Sequence, residues 1–429
     1  MNGADCILIK GGRVVDPAHN LDTTADLLLE GGLIRAVGRP DVPAGCRVIS
    51  AAGLVVAPGL VDMHVHLREP GYEYKETIAG ATRAAAAGGV TAVAAMPNTN
   101  PVIDDPSVVG YVLEKARVAG HANVHPIGAI TRGLKGEALS EMGLLQRAGC
   151  VAFSDDGRAV MDSGLMRKAL EYSRAFGALI IQHAEDSALV GCGCMNEGVT
   201  SSRLGLPGIP NASEEVLVDR DIRLVALTGG RYHVAHLSTA GALTAVTAAR
   251  VRGLPVTCEV TPHHFALTDS AVGHYDTNAK MAPPLRDEKD RQALLEGLAR
   301  GTITVIATDH APHDIDSKRV PFCQAANGVV GLETLLPVSL ELVRDGVLDL
   351  KGCLATMTCN PARMLGIDRG TLEVGKVADL VLFDPEEAWE VDAIDLHGSG
   401  RNTCFQGRQV RGRVKTTFLA GRVVHRDGT

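Results

Sequence analysis

Between residues 60 and 308 short apolar runs alternate with longer amphipathic stretches, and five of the eight apolar runs carry a histidine or an aspartate within a few residues of their C-terminal end. The runs fall at 60–67, 90–96, 124–130, 151–154, 179–183, 232–237, 256–260 and 303–308. Helical stretches are expected near 74–87, 107–119, 137–148 and 163–176, and a longer insert, 185–229, follows the fifth run. Strands that alternate with helices form parallel sheets, because a parallel neighbour is reached only through a crossover. Eight of them fit a closed (β/α)₈ barrel better than an open sheet. A barrel gathers the C-terminal ends of its strands at one mouth, so polar residues placed there meet in space.

The two ends of the chain read differently. Residues 6–57 and the C-terminal stretch are short strands punctuated by turn residues such as Gly11-Gly12 and Gly31-Gly32. One small β domain built from both termini is expected, giving segments 1–57, 58–365 and 366–429. Aromatic residues are only 3% of the 429, so the core must be packed with Ala, Val, Leu and Ile. The formal net charge of −8 and the absence of a long basic run argue against nucleic acid or an anionic membrane as partner. No apolar run approaches the ~20 residues of a membrane span. The N-terminus lacks the basic and apolar regions of a signal peptide. The ten cysteines show no repeated framework, which points to free thiols in a reducing cytosol. Cys192-Gly193-Cys194 lacks the second pair a four-ligand site needs.

The strand-end residues suggest a metal centre. In Asp62-Met63-His64-Val65-His66-Leu67-Arg68 the two histidines are two apart, so on a strand both side chains reach one point. Candidate ligands recur in the acidic pair Asp155-Asp156, in His183, in His236 and in Asp309. Each has a plainer reading taken alone: a helix cap for the acidic pair, a hydrogen-bonded core histidine for His183. His233 reads as strand packing and Arg68 alone as a surface ion pair. Successive strand ends carrying such residues make the joint pattern hard to reduce to these. Six nitrogen and oxygen ligands exceed one tetrahedral zinc, so two divalent ions sharing a carboxylate fit the count. Four imidazoles favour zinc over magnesium.

These motifs resemble a known family. The segment 62–68, Met96-Pro97-Asn98-Thr99-Asn100-Pro101, Phe153-Ser154-Asp155-Asp156-Gly157 and Ala307-Thr308-Asp309-His310-Ala311-Pro312-His313 resemble the long type of bacterial dihydroorotase, in the amidohydrolase superfamily. Glu373-Val374-Gly375-Lys376-Val377-Ala378-Asp379 is similar to the superfamily's signature where the chain re-enters its β domain. The resemblance implies a distorted (β/α)₈ barrel with a β-sandwich from both termini and two zinc ions per subunit. It implies His64 and His66 on the first zinc, Asp156 bridging, and His183 and His236 on the second. Asp309 matches the catalytic acid/base, which also touches the first zinc. Arg68, Asn98 and His313 match positions that hold a substrate carboxylate, with His66 beside them, and Asn327-Gly328 match a mobile loop against the pyrimidine ring. The chain departs from the family at Ala282, usually Asn, at Ala326, usually Pro, and at Asn327, often bulky and apolar; none is a metal ligand.

The reaction implied is the reversible cyclisation of N-carbamoyl-L-aspartate to L-dihydroorotate, a cytoplasmic step of pyrimidine synthesis. A homodimer and a complex with aspartate carbamoyltransferase are further implications. A hydantoinase or allantoinase is the alternative enzyme, but those relatives usually bridge their metals with a carboxylated lysine and 149–156 holds none. A non-catalytic scaffold is the alternative of a different class, and the intact ligand set counts against it.

Overall fold

The structure is a computed structural model and describes residues 6–428. Five strands open it: β1 (Cys6–Asp16), β2 (Leu21–Glu30), β3 (Leu33–Gly38), β4 (Arg47–Ser50) and β5 (Val55–Pro58). The C-terminal β16 (Leu380–Glu390), β17 (Gln409–Leu419) and β18 (Arg422–Arg426) join them in one eight-stranded sheet, ordered β18-β17-β16-β5-β1-β2-β3 with β4 on β1. Antiparallel pairing of β16 with β5, Leu380 opposite Pro58, stitches the two termini together. Leu27, Leu29 and Ile34 from one end of that order share a buried core with Leu380, Leu382 and Phe418 from the other. The sheet therefore curls over its own apolar face.

The ten cysteines are not all free. Parallel pairing of β1 with β4 sets Ile7 opposite Arg47, which places Cys6 beside Cys46, and the two form a disulfide. The expectation of ten thiols is corrected on this point; Cys192 is exposed and Cys194 buried, both free.

The chain passes from the terminal sheet into the barrel at Gly59, where any side chain would overlap Thr91. The barrel strands are β6 (Leu60–Val65), β7 (Val90–Ala95), β8 (Asn123–Gly128), β9 (Ala152–Ser154), β10 (Leu179–Gln182), β13 (Arg231–Val234), β14 (Val256–Val260) and β15 (Val305–Ile306). They pair in parallel in this chain order; β11 (Met195–Asn196) and β12 (Gly208–Ile209) form a separate two-stranded ribbon in the long insert. Met63, Met96, Ile127, Leu179 and Ile181 pack inside the barrel, and a larger cluster rich in Ala, Val and Leu packs the helices outside. Few rings are needed because alanines such as Ala81, Ala84 and Ala85 let helix and sheet approach closely.

Two helices begin later than their sequences suggest. The first spans Ile78–Ala87, because the Thr77 side chain accepts from Gly80 N and caps it there. The third spans Met142–Ala148, because 131–139 is held in a loop by the bridge from Thr131 to Leu139.

β6 and β15 do not pair along their length, and a carboxylate closes the seam. Asp62 is fully buried; its Oδ1 accepts from Thr308 N (3.1 Å) and its Oδ2 from Thr308 Oγ1 (2.5 Å). Beyond it, His66 N donates to His310 O at 2.8 Å. These bonds put the residues after β15 directly against the end of β6.

Candidate metal centre

The mouth of the barrel brings together the strand-end residues. His64 lies near the end of β6 and His66 just past it; Asp156 follows β9, His183 follows β10, His236 follows β13 and Asp309 follows β15. All six are buried. Two ligand groups result: His64, His66, Asp156 and Asp309, and Asp156, His183 and His236. Asp156 belongs to both. Its Oδ1 lies 3.4 Å from His64 Nε2, 3.6 Å from His183 Nδ1 and 3.3 Å from His236 Nε2, and its Oδ2 lies 3.4 Å from His66 Nε2. Asp309 Oδ1 is 3.1 Å from His66 Nε2 and 3.4 Å from His64 Nε2.

These distances are those of ligands around an ion. Two donors each about 2.05 Å from a tetrahedral zinc are about 3.3 Å apart. His64 Nε2 is buried and has no hydrogen-bond partner, as expected of a lone pair that faces a cation. Asp155, the other member of the acidic pair, points away: its Oδ1 accepts from Ile130 N and Thr131 N, both at 2.9 Å.

The backbone is held in an unusual conformation at this mouth. Arg68, His236 and Asp309 have φ of 65°, 33° and 48°, a region few non-glycine residues adopt. Such residues persist only where surrounding bonds over-determine them. His236 N donates to Glu259 Oε1 at 3.3 Å, and Asp309 lies between Thr308 and His310, both bonded across the seam.

Each ligand ring but that of His236 has a partner on its far nitrogen. His64 Nδ1 is 2.5 Å from Glu259 Oε1, and His183 Nε2 is 2.9 Å from Glu185 Oε2. His66 Nδ1 is 2.8 Å from Asn98 Oδ1. Such contacts fix the tautomer, so that the other nitrogen presents its lone pair. Glu259 and Glu185 were not among the residues expected from sequence. Glu259 had a usable signal: an acid inside the apolar run Val256-Thr257-Cys258-Glu259-Val260 must find a partner if buried. The neighbouring His233 packs in the strand layer, with Nδ1 2.8 Å from Thr257 Oγ1 and Nε2 3.3 Å from Glu259 Oε2.

Charge at the centre follows from burial. Burial opposes ionisation of His183, but Asp156 and Glu185 outweigh it and raise its pKa to about 10. His64 rises in the same way, burial being overcome by Asp156, Glu259 and Asp309. Burial opposes the charge of Glu259 too, and His64 with His233 overcomes it, holding the carboxyl at about 2. A buried set of carboxylates thus calls for positive charge among the rings, and this donor set fits a divalent metal.

A cavity of about 210 Å³ opens above the cluster, bordered by Arg68, Asn98, Asp309, His313, Asn327 and Gly328 among others. Burial lowers the Arg68 pKa to about 10, against the pull of Asp309 and Asp156, which leaves the guanidinium charged at neutral pH. Its Nε donates to Pro312 O at 3.1 Å. Burial, then the charge of Arg68, pushes His313 down to about 3, so the ring is neutral and its Nε2 donates to Asn327 O at 2.8 Å. Gly328 has φ 118°, and a Cβ there would lie 2.6 Å from that of Ala311. Ala282 lines the same wall and leaves it open towards a second space beyond Asn327.

Comparison with known proteins gives a consistent result. Residues 53–242 match the family model described as dihydro-orotase-like, and residues 218–425 match that of the amidohydrolase family. The chain is 53% identical over 421 residues to a dihydroorotase of Geobacter metallireducens, covering 98% of this chain and 99% of that protein. It is 54% identical over 423 residues to one of Geobacter sulfurreducens, covering 98% and 100%. Among solved structures, the L-hydantoinase (dihydropyrimidinase) of Arthrobacter aurescens superposes with a TM-score of 0.88 at 26% identity, covering 99% of this chain and 96% of the other. A dihydropyrimidinase of Brevibacillus agri gives 0.85 at 25% identity, covering 98% and 95%.

Proposed function

Since this chain belongs to the dihydroorotase family of the amidohydrolase superfamily, we propose that it interconverts N-carbamoyl-L-aspartate and L-dihydroorotate. The observation that carries the reading is the pairing of one cavity's two walls: a shared metal-ligand cluster below, and a half-buried, charged Arg68 above. The cluster suits a cyclic amide, and the guanidinium suits the carboxylate that distinguishes dihydroorotate from a bare ring.

Two zinc ions would be held here: His64, His66 and Asp309 would hold one, His183 and His236 the other, and Asp156, which belongs to both ligand groups, would serve both. Charge supports the count. Asp156, Asp309, Glu185 and Glu259 together bring four negative charges into the buried floor of the cavity. Two divalent ions balance four carboxylates with every imidazole neutral, the state in which imidazole ligates. When bound, the ions supply Lewis-acid polarisation of the amide carbonyl and acidify the attacking water.

The protein's own groups do the rest. Arg68, with Asn98 and His313, holds the substrate carboxylate and orients the ring. Asn98 also has its carbonyl on His66, so a single amide links substrate position to ligand tautomer. Asp309 stays ionised at neutral pH: burial disfavours its charge, but the positive charge of His64 and His66 beside it more than compensates, a part that a bound cation would take over. In hydrolysis it takes the proton of the attacking water and passes it to the departing ring nitrogen; in cyclisation it runs the same transfer backwards. Asn327 and Gly328 border the far side of the ring, and their backbone is fixed by His313 and by Gly328 N donating to Lys280 O (2.9 Å).

No described helix is long and apolar enough to cross a membrane. A cytoplasmic location, a homodimer and an association with aspartate carbamoyltransferase accompany the family reading, and sizing the protein with and without that enzyme tests the last two. The decisive experiment for the function is zinc analysis combined with turnover of dihydroorotate, dihydrouracil and hydantoin. The expected result is about two zinc per chain and turnover of dihydroorotate alone. Faster turnover of the two rings that lack a carboxylate would replace this reading by a hydantoinase.

A further inference from the structure

Beside the substrate cavity, and distinct from the space beyond Asn327, lies a further space of about 540 Å³, and His313 borders both it and the substrate cavity. Its walls carry Lys75, Lys318, Arg319 and Arg401 against a single carboxylate, Asp314. That excess of positive charge stands out in a chain whose net charge is −8. Two of the four basic groups are committed to backbone, and burial with the nearby Lys280 lowers Lys318 to about 7, so the lasting positive charge is that of Lys75, Arg319 and Arg401. Lys318 Nζ donates to Thr277 O (2.9 Å) and Ala326 O (2.7 Å), and Arg401 Nη1 donates to Leu396 O (2.8 Å) and Gly398 O (2.6 Å). Lys75 and Arg319 are different. Among the described residues neither forms an ion pair, and Arg319 is exposed. Lys75 is half-buried, with its Nζ 5.5 Å from the Tyr72 ring centre and 5.7 Å from that of Tyr74, which props the ammonium at the rim. Asp314 offers no full neutralisation, because its carboxylate is occupied in capping 315–318 through Ser317. The charge of Lys75 is felt inside: burial and then Arg68 lower its own pKa, and it adds to the fields that keep His313 neutral.

The two substrates differ in charge. The open-chain ureido acid carries two carboxylates at neutral pH and the cyclic amide one. If Arg68 holds the carboxylate common to both, the second carboxylate of the open chain is the one without an assigned cation until it reaches the metal cluster.

We propose that Lys75 and Arg319 form an entry subsite for that second carboxylate, which makes the vestibule selective for dicarboxylate dianions over monoanions. The proposal rests on the function given above. Its quantitative form is simple, because Coulomb energy scales with the product of charges. One cation about 9 Å from one ligand charge in water changes binding about two-fold, so two cations change a monoanion's binding about 4-fold and a dianion's about 16-fold.

Both reaction directions cross the same transition state, and at fixed pH the ratio of their kcat/KM values is the equilibrium constant. No substitution can alter that ratio. The selectivity must therefore be read in KM and in inhibition constants.

The test uses the metal-loaded full chain with Lys75→Gln and Arg319→Gln combined, alongside Lys75→Arg, which keeps the charge. At 0.1 M salt, where a screening length of about 10 Å cuts each such interaction to about 40%, the double variant should raise KM about 4-fold for the open-chain substrate and about 2-fold for dihydroorotate. Inhibition constants should follow for succinate, an unreactive dianion, and propionate, an unreactive monoanion. At 1 M salt, where the screening length falls to about 3 Å, wild type and variant should converge. Lys75→Arg should keep wild-type values, which separates charge from packing; unchanged thermal melting of the double variant confirms an intact fold. Equal factors for dianion and monoanion, or no change in either, overturn the subsite. A wild-type enzyme that turns over neither substrate overturns instead the function on which the subsite rests.

Discussion

Replacing Glu259 by glutamine tests the metal reading without touching a ligand. The Glu259 side chain has no solvent exposure. Its Oε1 lies 2.5 Å from His64 Nδ1 and accepts from His236 N at 3.3 Å, while Oε2 faces His233 Nε2 at 3.3 Å. Glutamine keeps the size and the carbonyl acceptor towards His64 but removes the negative charge that makes the imidazole a stronger donor to metal. Loss of such an outer partner typically weakens metal binding 10- to 100-fold, which is about 1.4–2.7 kcal/mol. The effect should fall on the site built from His64, His66, Asp156 and Asp309 and spare the one built from His183 and His236. Glu185→Gln, through His183, should give the reverse. The assay is stepwise zinc titration of metal-stripped protein against a competing chelator, with activity followed against free zinc. Glu259→Gln should lose affinity at one of two sites and recover most of its kcat at saturating zinc. Unchanged affinity at both sites would refute the role given to Glu259, and lost turnover that zinc does not restore would place its action elsewhere.

Other outcomes follow from the same geometry. Asp309→Asn should lower kcat/KM by about 10²–10⁴ in both directions equally while zinc stays bound through the remaining ligands, as steady-state kinetics with metal analysis would show. Arg68→Ala should raise KM with metal content intact, because the guanidinium holds a carboxylate remote from the bond that breaks. Ring closure consumes one proton, so the equilibrium ratio of cyclic to open-chain product should fall about tenfold per pH unit, or about 1.4 kcal/mol; a ratio flat from pH 6 to about 9 would exclude the reaction. His125 on β8 is pushed by burial, and then by Arg369, to about 4. Its folded pKa lies below the unfolded value of about 6.5, so the unfolded chain takes the proton first as pH falls. Stability should drop between those values by up to about 1.4 kcal/mol per unit, and urea melts at pH 7 and 5 should show a smaller drop in His125→Gln.

Much of this site was legible in the sequence because a barrel converts chain position into spatial position. An apolar run that ends on His183 or His236 states both the strand and the end at which the ring emerges. What stayed hidden depends on facts that periodicity does not encode. Alternation says that Asp155 and Asp156 face opposite ways but not which one faces the metals, and only the family resemblance points to Asp156; the structural cause is Ile130 N and Thr131 N, which capture Asp155 from the loop after the preceding strand. The late starts of two helices depend on one hydroxyl, Thr77, and on one loop bridge, Thr131 to Leu139. Cys6–Cys46 depends on a parallel pairing between strands separated by two others in the chain.

The first motif shows best how position and chemistry are joined. Its histidines were readable as ligands, whereas its leading acid carried no evident role. Asp62 closes the barrel: it is the group that fixes Thr308, and Thr308 is the residue before Asp309. The same Oδ1 also accepts from His64 N at 3.2 Å. One buried carboxylate therefore sets the backbone of a metal ligand on β6 and of the acid/base beyond β15, two segments that the sheet joins only through the isolated bridge of Val65 with His310. Alanine at this position would leave the N–H groups of His64 and Thr308 and the Thr308 hydroxyl without their acceptor, at about 1–3 kcal/mol for each group left unsatisfied. Both sides of the first metal site would then lose their common anchor, so metal affinity should fall along with stability even though no ligand has changed. The acid of Asp-x-His-x-His is thus as much a part of the site as the two rings, and it acts by holding the barrel shut at the point where the ligands must meet.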